Sequence, residues 1–333
     1  MQVSDRTQPA VPKLDPREQH VRIPSPIEGL DLFLRHLPPP APMRCPPRVV
    51  LYVHGGTFPS ALSIAHRFDG RSWRDDLCAR GFDVWGLDFL GFGASDRYPQ
   101  MSRPADAGAA LGSAEAASRQ LESAVRWISA HHGVPRISII AHSWGTIVAG
   151  RFAGACPGLV ERLVFFGPVG RREPTGGPQR YPAWRLVSLD DQWKRFTEDV
   201  PAGESPVLPR RHFDAWGSLY LDTDPDSRTR SPASVRTPSG PWQDIADAWA
   251  GRLAYDPGLV RAPVAIIRGE WDSLATDNDA CWLFDALRAS ARRRDVKIAR
   301  ATHLMHLEEN RYALYREAEG FLLGGDLPAT SGG

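Results

Sequence analysis

Lysine is nearly missing from this 333-residue chain: Lys13, Lys194 and Lys297 stand alone among 40 basic residues. The rest are arginines, which we read as the codon usage of a GC-rich genome rather than a device for binding phosphate. An excess of charge is missing too, with a net charge of +1 and 24% of residues charged. That balance gives no electrostatic reason to expect nucleic acid or a membrane surface as partner. Cysteine is scarce. Cys45, Cys78, Cys156 and Cys281 lie far apart and show neither Cys-x-x-Cys nor the Cys/His spacing of a metal site. Two disulfides are arithmetically possible, but buried free thiols in a cytoplasmic protein are the expectation; neither a metal nor a cofactor is expected. No run of about 18 apolar residues occurs, so no membrane-spanning helix is expected. The opening MQVSDRTQPAVPKLDPREQ is polar and Pro-rich, without the apolar core of a signal peptide.

What is present is enough apolar residue, 42%, for one large α/β domain or a core carrying an insertion. Residues 1–18 read as a flexible arm and 326–333 as a disordered tail. Strands are predicted at 20–24 and 30–37, followed by a Pro-rich connection at 38–47. The stretches 48–56, 82–93, 136–142 and 160–168 are near-continuous apolar runs, as in strands buried on both faces. Helices are predicted near 71–80, over 114–132, where apolar residues recur at three- and four-residue steps, and over 144–156. The alternation resumes late, with strands at 262–270 and 295–300 and helices at 277–290 and 310–323. Strands alternating with helices imply right-handed crossovers and a mostly parallel sheet. No internal repeat is visible.

Between 169 and 257 the pattern breaks. This segment holds Trp184, Trp193, Trp216, Trp242 and Trp249, five of the chain's 11 tryptophans. It is too long for a loop in a compact domain. A largely helical cap inserted after the sixth strand, over a core of 19–168 and 258–325, fits better, because open parallel sheets bind ligands at their carboxyl ends. Arg171, Arg172, Arg210, Arg211, His212, Arg228 and Arg230 lie there among Asp190, Asp191, Asp214 and Asp222, so solvated surface is their default reading.

A nucleophilic serine needs a base, an acid to orient the base, and donors for the oxyanion that develops. In AHSWG, Ala141 and Gly145 flank Ser143 between a predicted strand and a predicted helix. Small residues suit a turn that brings two backbones close and strains the serine. HGGTF at 54–58 follows another strand, and its glycines leave N–H groups free to meet a ligand oxygen. Asp272, in GEWD, lies just past a strand end, with Glu270 its rival. His303, in THLMHLE, follows the last strand, with His306 its rival. His142 neighbours Ser143 in sequence, so its side chain is expected on the other side of the strand.

HGG, AHSWG, GEWD and THLMHLE stand in the order found in α/β-hydrolases, and residues 20–323 resemble a serine-nucleophile member of that superfamily with an inserted cap. The resemblance implies that Ser143 attacks, His303 moves the proton and Asp272 orients the imidazole. It also implies an oxyanion hole from the backbone N–H groups of Gly56 and Trp144, with Thr57 as alternate. Phe58, Trp271, His306, Trp184 and Trp216 are candidate pocket residues, and the Trp144 indole, adjoining Ser143, is a candidate pocket wall. Ser143 stands where epoxide hydrolases and haloalkane dehalogenases carry aspartate, which argues against both activities. The implied function is cleavage of an ester, lactone or thioester of a small to medium hydrophobic or aromatic molecule by a monomer or homodimer. Amide or peptide cleavage, C–C bond hydrolysis and acyl transfer use the same triad, and a non-catalytic ligand-binding protein on this fold is the alternative of a different class.

Overall fold

The computed structural model describes residues 11–40, 47–174 and 176–324. In chain order the strands are β1 (Gln19–Pro24), β2 (Asp31–Leu37), β3 (Arg48–Val53), β4 (Phe82–Asp88), β5 (Ile137–His142), β6 (Val160–Phe166), β7 (Trp184–Ser188), β8 (Ser234–Pro238), β9 (Val264–Gly269) and β10 (Arg293–Ile298). The helices are α1 (Trp73–Ala79), α2 (Ala114–His132), α3 (Trp144–Ala155), α4 (Leu189–Thr197), α5 (Arg210–Leu221), α6 (Gly240–Trp249), α7 (Asp277–Ala286) and α8 (Arg311–Leu322). Eight strands form one sheet in the order β1-β2-β4-β3-β5-β6-β9-β10. The first two pairings, β1 with β2 and β2 with β4, are antiparallel and the rest are parallel.

Alternate residues of each central strand feed two cores. Leu51, Val53, Ile139 and Ala141 pack with Leu121, Val125 and Ile128 of α2 and Ile147 and Phe152 of α3. Val50, Tyr52, Ile140, Val164 and Ile267 pack with Trp73 and Leu77 of α1 and Leu314, Ala318 and Phe321 of α8. Burial on both faces is why these strands are apolar throughout rather than alternating. Helix α2 has the bounds its periodicity predicts. The Ser113 side chain accepts from the Ala116 N–H at its start, and Gly133, with φ 63°, ends it.

β3 connects to β4 on one side, whereas β5 pairs on the other. The chain therefore reverses its winding direction at this point and opens a crevice beyond the carboxyl ends of β3 and β5. The HGG turn and Ser143 both emerge there.

Residues 169–257 hold α4, α5, α6 and the antiparallel pair β7–β8, which the composition had not suggested. Phe196, Phe213, Trp216 and Val235 of this insertion form a third apolar cluster with Phe58 and Leu62 after β3 and with Leu304 and Leu307 after β10. Four of its tryptophans lie under arginines: Trp184 under Arg236, Trp193 under Arg210, Trp242 under Arg185 and Trp249 under Arg172, at 4.3 to 4.8 Å from guanidinium to ring centre. The richness of this segment in Trp and Arg is thus one feature, a set of cation–π pairs.

The flexible arm predicted over 1–18 does not extend to residues 11–18. Glu18 is fully buried between the guanidinium groups of Arg35 and Arg74, and Asp15 pairs with Arg67 at 2.6 Å. Residues 1–10 and the tail at 326–333 lie outside the described residues. Cys78, Cys156 and Cys281 are free thiols, though only Cys78 is buried and Cys281 is exposed. No helix among the described residues is long and apolar enough to cross a membrane.

Candidate active site

Ser143 joins β5 directly to α3 with φ 55° and ψ −127°, a left-handed conformation that costs a non-glycine residue free energy. The surroundings enforce it. Ser143 N–H donates to the Phe166 carbonyl at 3.1 Å, and the Thr146 hydroxyl donates back to the Ser143 carbonyl at 2.6 Å. A methyl group on Gly145 would lie 2.5 Å from the His54 carbonyl oxygen, so α3 starts this close to the end of β3 only because position 145 is glycine.

Two side chains from distant segments meet the serine. His303 Nε2 lies 2.7 Å from Ser143 Oγ, and its Nδ1 lies 2.9 and 3.0 Å from the two Asp272 oxygens. A carboxylate only accepts, so Nδ1 carries the hydrogen and Nε2 presents a lone pair to the serine O–H. The N–H groups of Leu274 and Ala275 donate to Asp272 Oδ1, each at 2.9 Å. Burial alone would raise the Asp272 carboxyl; the His303 ring and the Ala275 N–H outweigh it and hold the group below its ordinary value. Glu270, the rival acid, instead accepts from the Arg300 N–H at 2.9 Å.

Several positioning groups escape a reading of the sequence. The Thr302 N–H and hydroxyl both donate to buried Glu308, which fixes the backbone just before His303. Burial pushes the Glu308 carboxyl up to about 7 against those two donors. Arg172 ties the insertion to the Asp272 loop by donating to the Ser273 and Leu274 carbonyls and pairing with Asp279 at 2.7 Å. His54 Nδ1 donates to the Gly55 carbonyl at 2.7 Å while Nε2 accepts from the Phe89 N–H, which sets the course of the HGG turn. His142 is not directed away from the site. Its ring stacks on Phe166, and its Nε2 donates to the His303 carbonyl at 3.0 Å. Burial, with His306 and His303 beside it, holds this imidazole well below its ordinary value, so it is neutral.

A cavity of about 40 Å³ opens on Ser143 and His303, lined by Gly56, Thr57, Phe58, Leu274 and Leu304 and, from the insertion, by Arg195, Trp242 and Ile245. Neither Gly56 nor Thr57 uses its N–H within the described residues. Trp144 is the first residue of α3, so its N–H has no carbonyl one turn back to bond.

Other residues proposed for the pocket lie elsewhere. The Trp144 indole turns away and donates to Asp244 at 2.7 Å. Trp271 lies outside the cavity beneath Arg300, and Trp184 donates to the Arg103 carbonyl at 2.9 Å from β7. Trp216 is buried behind Phe58, donating to the Leu62 carbonyl. His306 sits behind Phe58 and His142 with its imidazole held down to about 3 by burial. Adjacency in sequence to Asp272 or Ser143 did not translate into adjacency to the cavity, because Trp144 opens α3 and Trp271 sits in the turn after β9, each held by a partner away from Ser143. Of the insertion arginines, Arg210, Arg228 and Arg230 pair with Asp214, Asp222 and Asp224.

Comparison with known proteins returns one family model, the alpha/beta hydrolase fold, matching residues 48–310. Among solved structures, the thioesterase domain from the curacin biosynthetic pathway superposes with a TM-score of 0.59 at 13% identity, covering 92% of this chain and 99% of that one. A thermophilic esterase from Thermogutta terrifontis gives 0.56 at 18% identity, with 92% and 98% covered. The 2-hydroxy-6-oxo-6-phenylhexa-2,4-dienoate hydrolase from Rhodococcus sp. strain RHA1 gives 0.57 at 14%, with 92% and 99% covered. At these identities the superpositions establish the fold alone.

Proposed function

The chain belongs to the alpha/beta hydrolase fold family, which makes it an enzyme of the hydrolase class, and we propose that it is a serine hydrolase cleaving an ester, lactone or thioester. One observation carries the proposal: the hydrogen-bonded line from Ser143 Oγ through His303 to Asp272, with the serine on a strained turn. In the proposed mechanism Nε2 of His303 takes the hydroxyl proton as Oγ attacks the carbonyl carbon. The Nδ1–H bond to Asp272 holds the imidazole in the needed tautomer and stabilises its cation. The N–H groups of Gly56 and Trp144, with Thr57 as alternate, stabilise the oxyanion. His303 then delivers the proton to the departing oxygen or sulfur. Water, activated by the same nitrogen, resolves the acyl-enzyme.

Phe58, Trp242, Ile245, Leu274 and Leu304 give the acyl group an apolar seat. About 40 Å³ is far below the roughly 300 Å³ or more of a drug-sized ligand pocket, so the cavity as it stands suits a short acyl chain. The 169–257 insertion acts as the cap, and larger substrates require α4 and α6 to move. The test is labelling by a fluorophosphonate probe alongside a panel of esters, lactones, thioesters and amides. Wild type should label and hydrolyse short-chain esters or thioesters, and Ser143→Ala should do neither. Equal labelling of both proteins would sink the proposal.

A further inference from the structure

At the amino ends of the parallel strands, opposite the crevice that holds Ser143, three ligand-type side chains converge. His36 comes from β2, Asp83 from β4 and His132 from the last turn of α2. One ligand atom from each lies within 4.8 Å of the others. His36 Nε2 contacts Asp83 Oδ1, and His132 Nε2 lies 3.6 Å from that same oxygen. His36 and Asp83 are buried, and His132 is half-buried.

The cluster has the second layer that orients metal ligands. His36 Nδ1 lies 3.3 Å from Gln19 Oε1, an acceptor, so Nδ1 carries hydrogen. The ring is held flat against Trp85, with centres 4.0 Å apart and planes 4° from parallel. Nε2 therefore points at the carboxylate with either a lone pair or a second proton. A lone pair facing a carboxylate oxygen is repulsive, so either a second ring proton or a bound cation lies between them. Among the described residues no lysine or arginine pairs with Asp83; its ion-pair partners are the two imidazoles. A buried carboxylate left without a cation is costly.

We propose that His36 Nε2, Asp83 and His132 Nε2 bind a divalent transition metal of the Zn²⁺ class. Two imidazole nitrogens and one carboxylate form a donor set suited to that ion, and the exposed His131 ring lies 4.8 Å from that of His132. The Trp85 indole N–H, which donates to His132 Nε2 at 2.9 Å, gives up that neutral bond when the metal binds. The ion would tie β2, β4 and α2 together and has no part in the chemistry at Ser143. The absence of a metal motif in the sequence carries no weight against it, because the ligands come from three separate elements.

The test uses the untagged, chelator-stripped full chain titrated with Zn²⁺ by calorimetry and thermal melting, and with Co²⁺ by visible absorption. Expected are one equivalent bound, a melting temperature that rises with Zn²⁺, and a Co²⁺ ligand-field band. His36→Gln and His132→Gln should each weaken binding at least tenfold, while His131→Gln should keep it. His132 is half-buried at a helix end, so its variant remains informative if His36→Gln fails to fold. The proposal is overturned if wild type binds no stoichiometric Zn²⁺, or if His132→Gln binds as tightly as wild type.

Discussion

Ser143 sits in a conformation that serine adopts only under constraint, and its partners reach it from residues 129 and 160 positions further along the chain. The Asp272 carboxylate is fully used: two N–H groups hold one oxygen, and His303 Nδ1 spans both. Replacing it with asparagine places an amide where the imidazole N–H must donate, which favours the opposite tautomer and removes the lone pair from the serine. Asp272→Asn is expected to lower kcat by about 10³- to 10⁴-fold with a smaller change in KM, measured on whichever ester the panel identifies. A loss below tenfold would remove Asp272 from the proposed role. Gly145 shows the complementary kind of residue, one whose absent side chain permits the site. Ala141, where glycine is more usual in such an elbow, is fully buried at the end of β5.

At the scale of elements, α6 is held to the hydrolase core by Asp244. Its carboxylate accepts from the Trp144 indole at 2.7 Å and from the Ala114 N–H, the first residue of α2, at 2.6 Å. Burial raises this carboxyl from 3.8 to about 6; the two donors and Arg151 pull it down, and Asp247 pushes it further up. A folded value above the unfolded one means the protonated form is favoured in the native state. The stability it contributes is complete below about 3.8 and is lost as pH rises through about 6. Wild type should therefore lose on the order of 3 kcal/mol across that window relative to Asp244→Asn, read from urea unfolding at a series of pH values. A difference between the two proteins that does not vary with pH would show that Asp244 does not titrate in this range.

At the scale of the whole molecule, residues 11–18, ahead of the sheet, are an anchored part of the fold. Glu18 is fully buried and pairs with both Arg35 from β2 and Arg74 from α1, so a single carboxylate joins residues 11–18, the sheet and a flanking helix. Removing it takes away the carboxylate with which both buried guanidinium groups pair. Glu18→Ala should cost about 3–5 kcal/mol in thermal or urea unfolding, whereas cutting an exposed pair such as Arg119–Glu115 should cost under about 1 kcal/mol. Equal effects would mean the buried pair is hydrated. Much of this fold was legible in the sequence. Strands buried on both faces must be apolar along their length, and α2 needs a stripe at helical spacing with a cap at each end, so both announce themselves locally. The serine elbow, the glycine turn and the late Asp272 and His303 announce themselves too, because each needs particular residue types at the end of a strand. Contacts between distant segments carry no such signature: Glu18 with two arginines, Asp244 with Trp144, the turn of His142 towards His303, and the β7–β8 pair. The same holds for the cavity, whose lining is set by which face of each element meets the insertion; Trp242 and Ile245 face it, while Trp184, Trp216 and Trp271 do not. Local sequence thus determined the elements and the candidate site residues at their ends. Tertiary packing alone decided which side chains share a space, because direction and distance across the fold are not properties of any one segment.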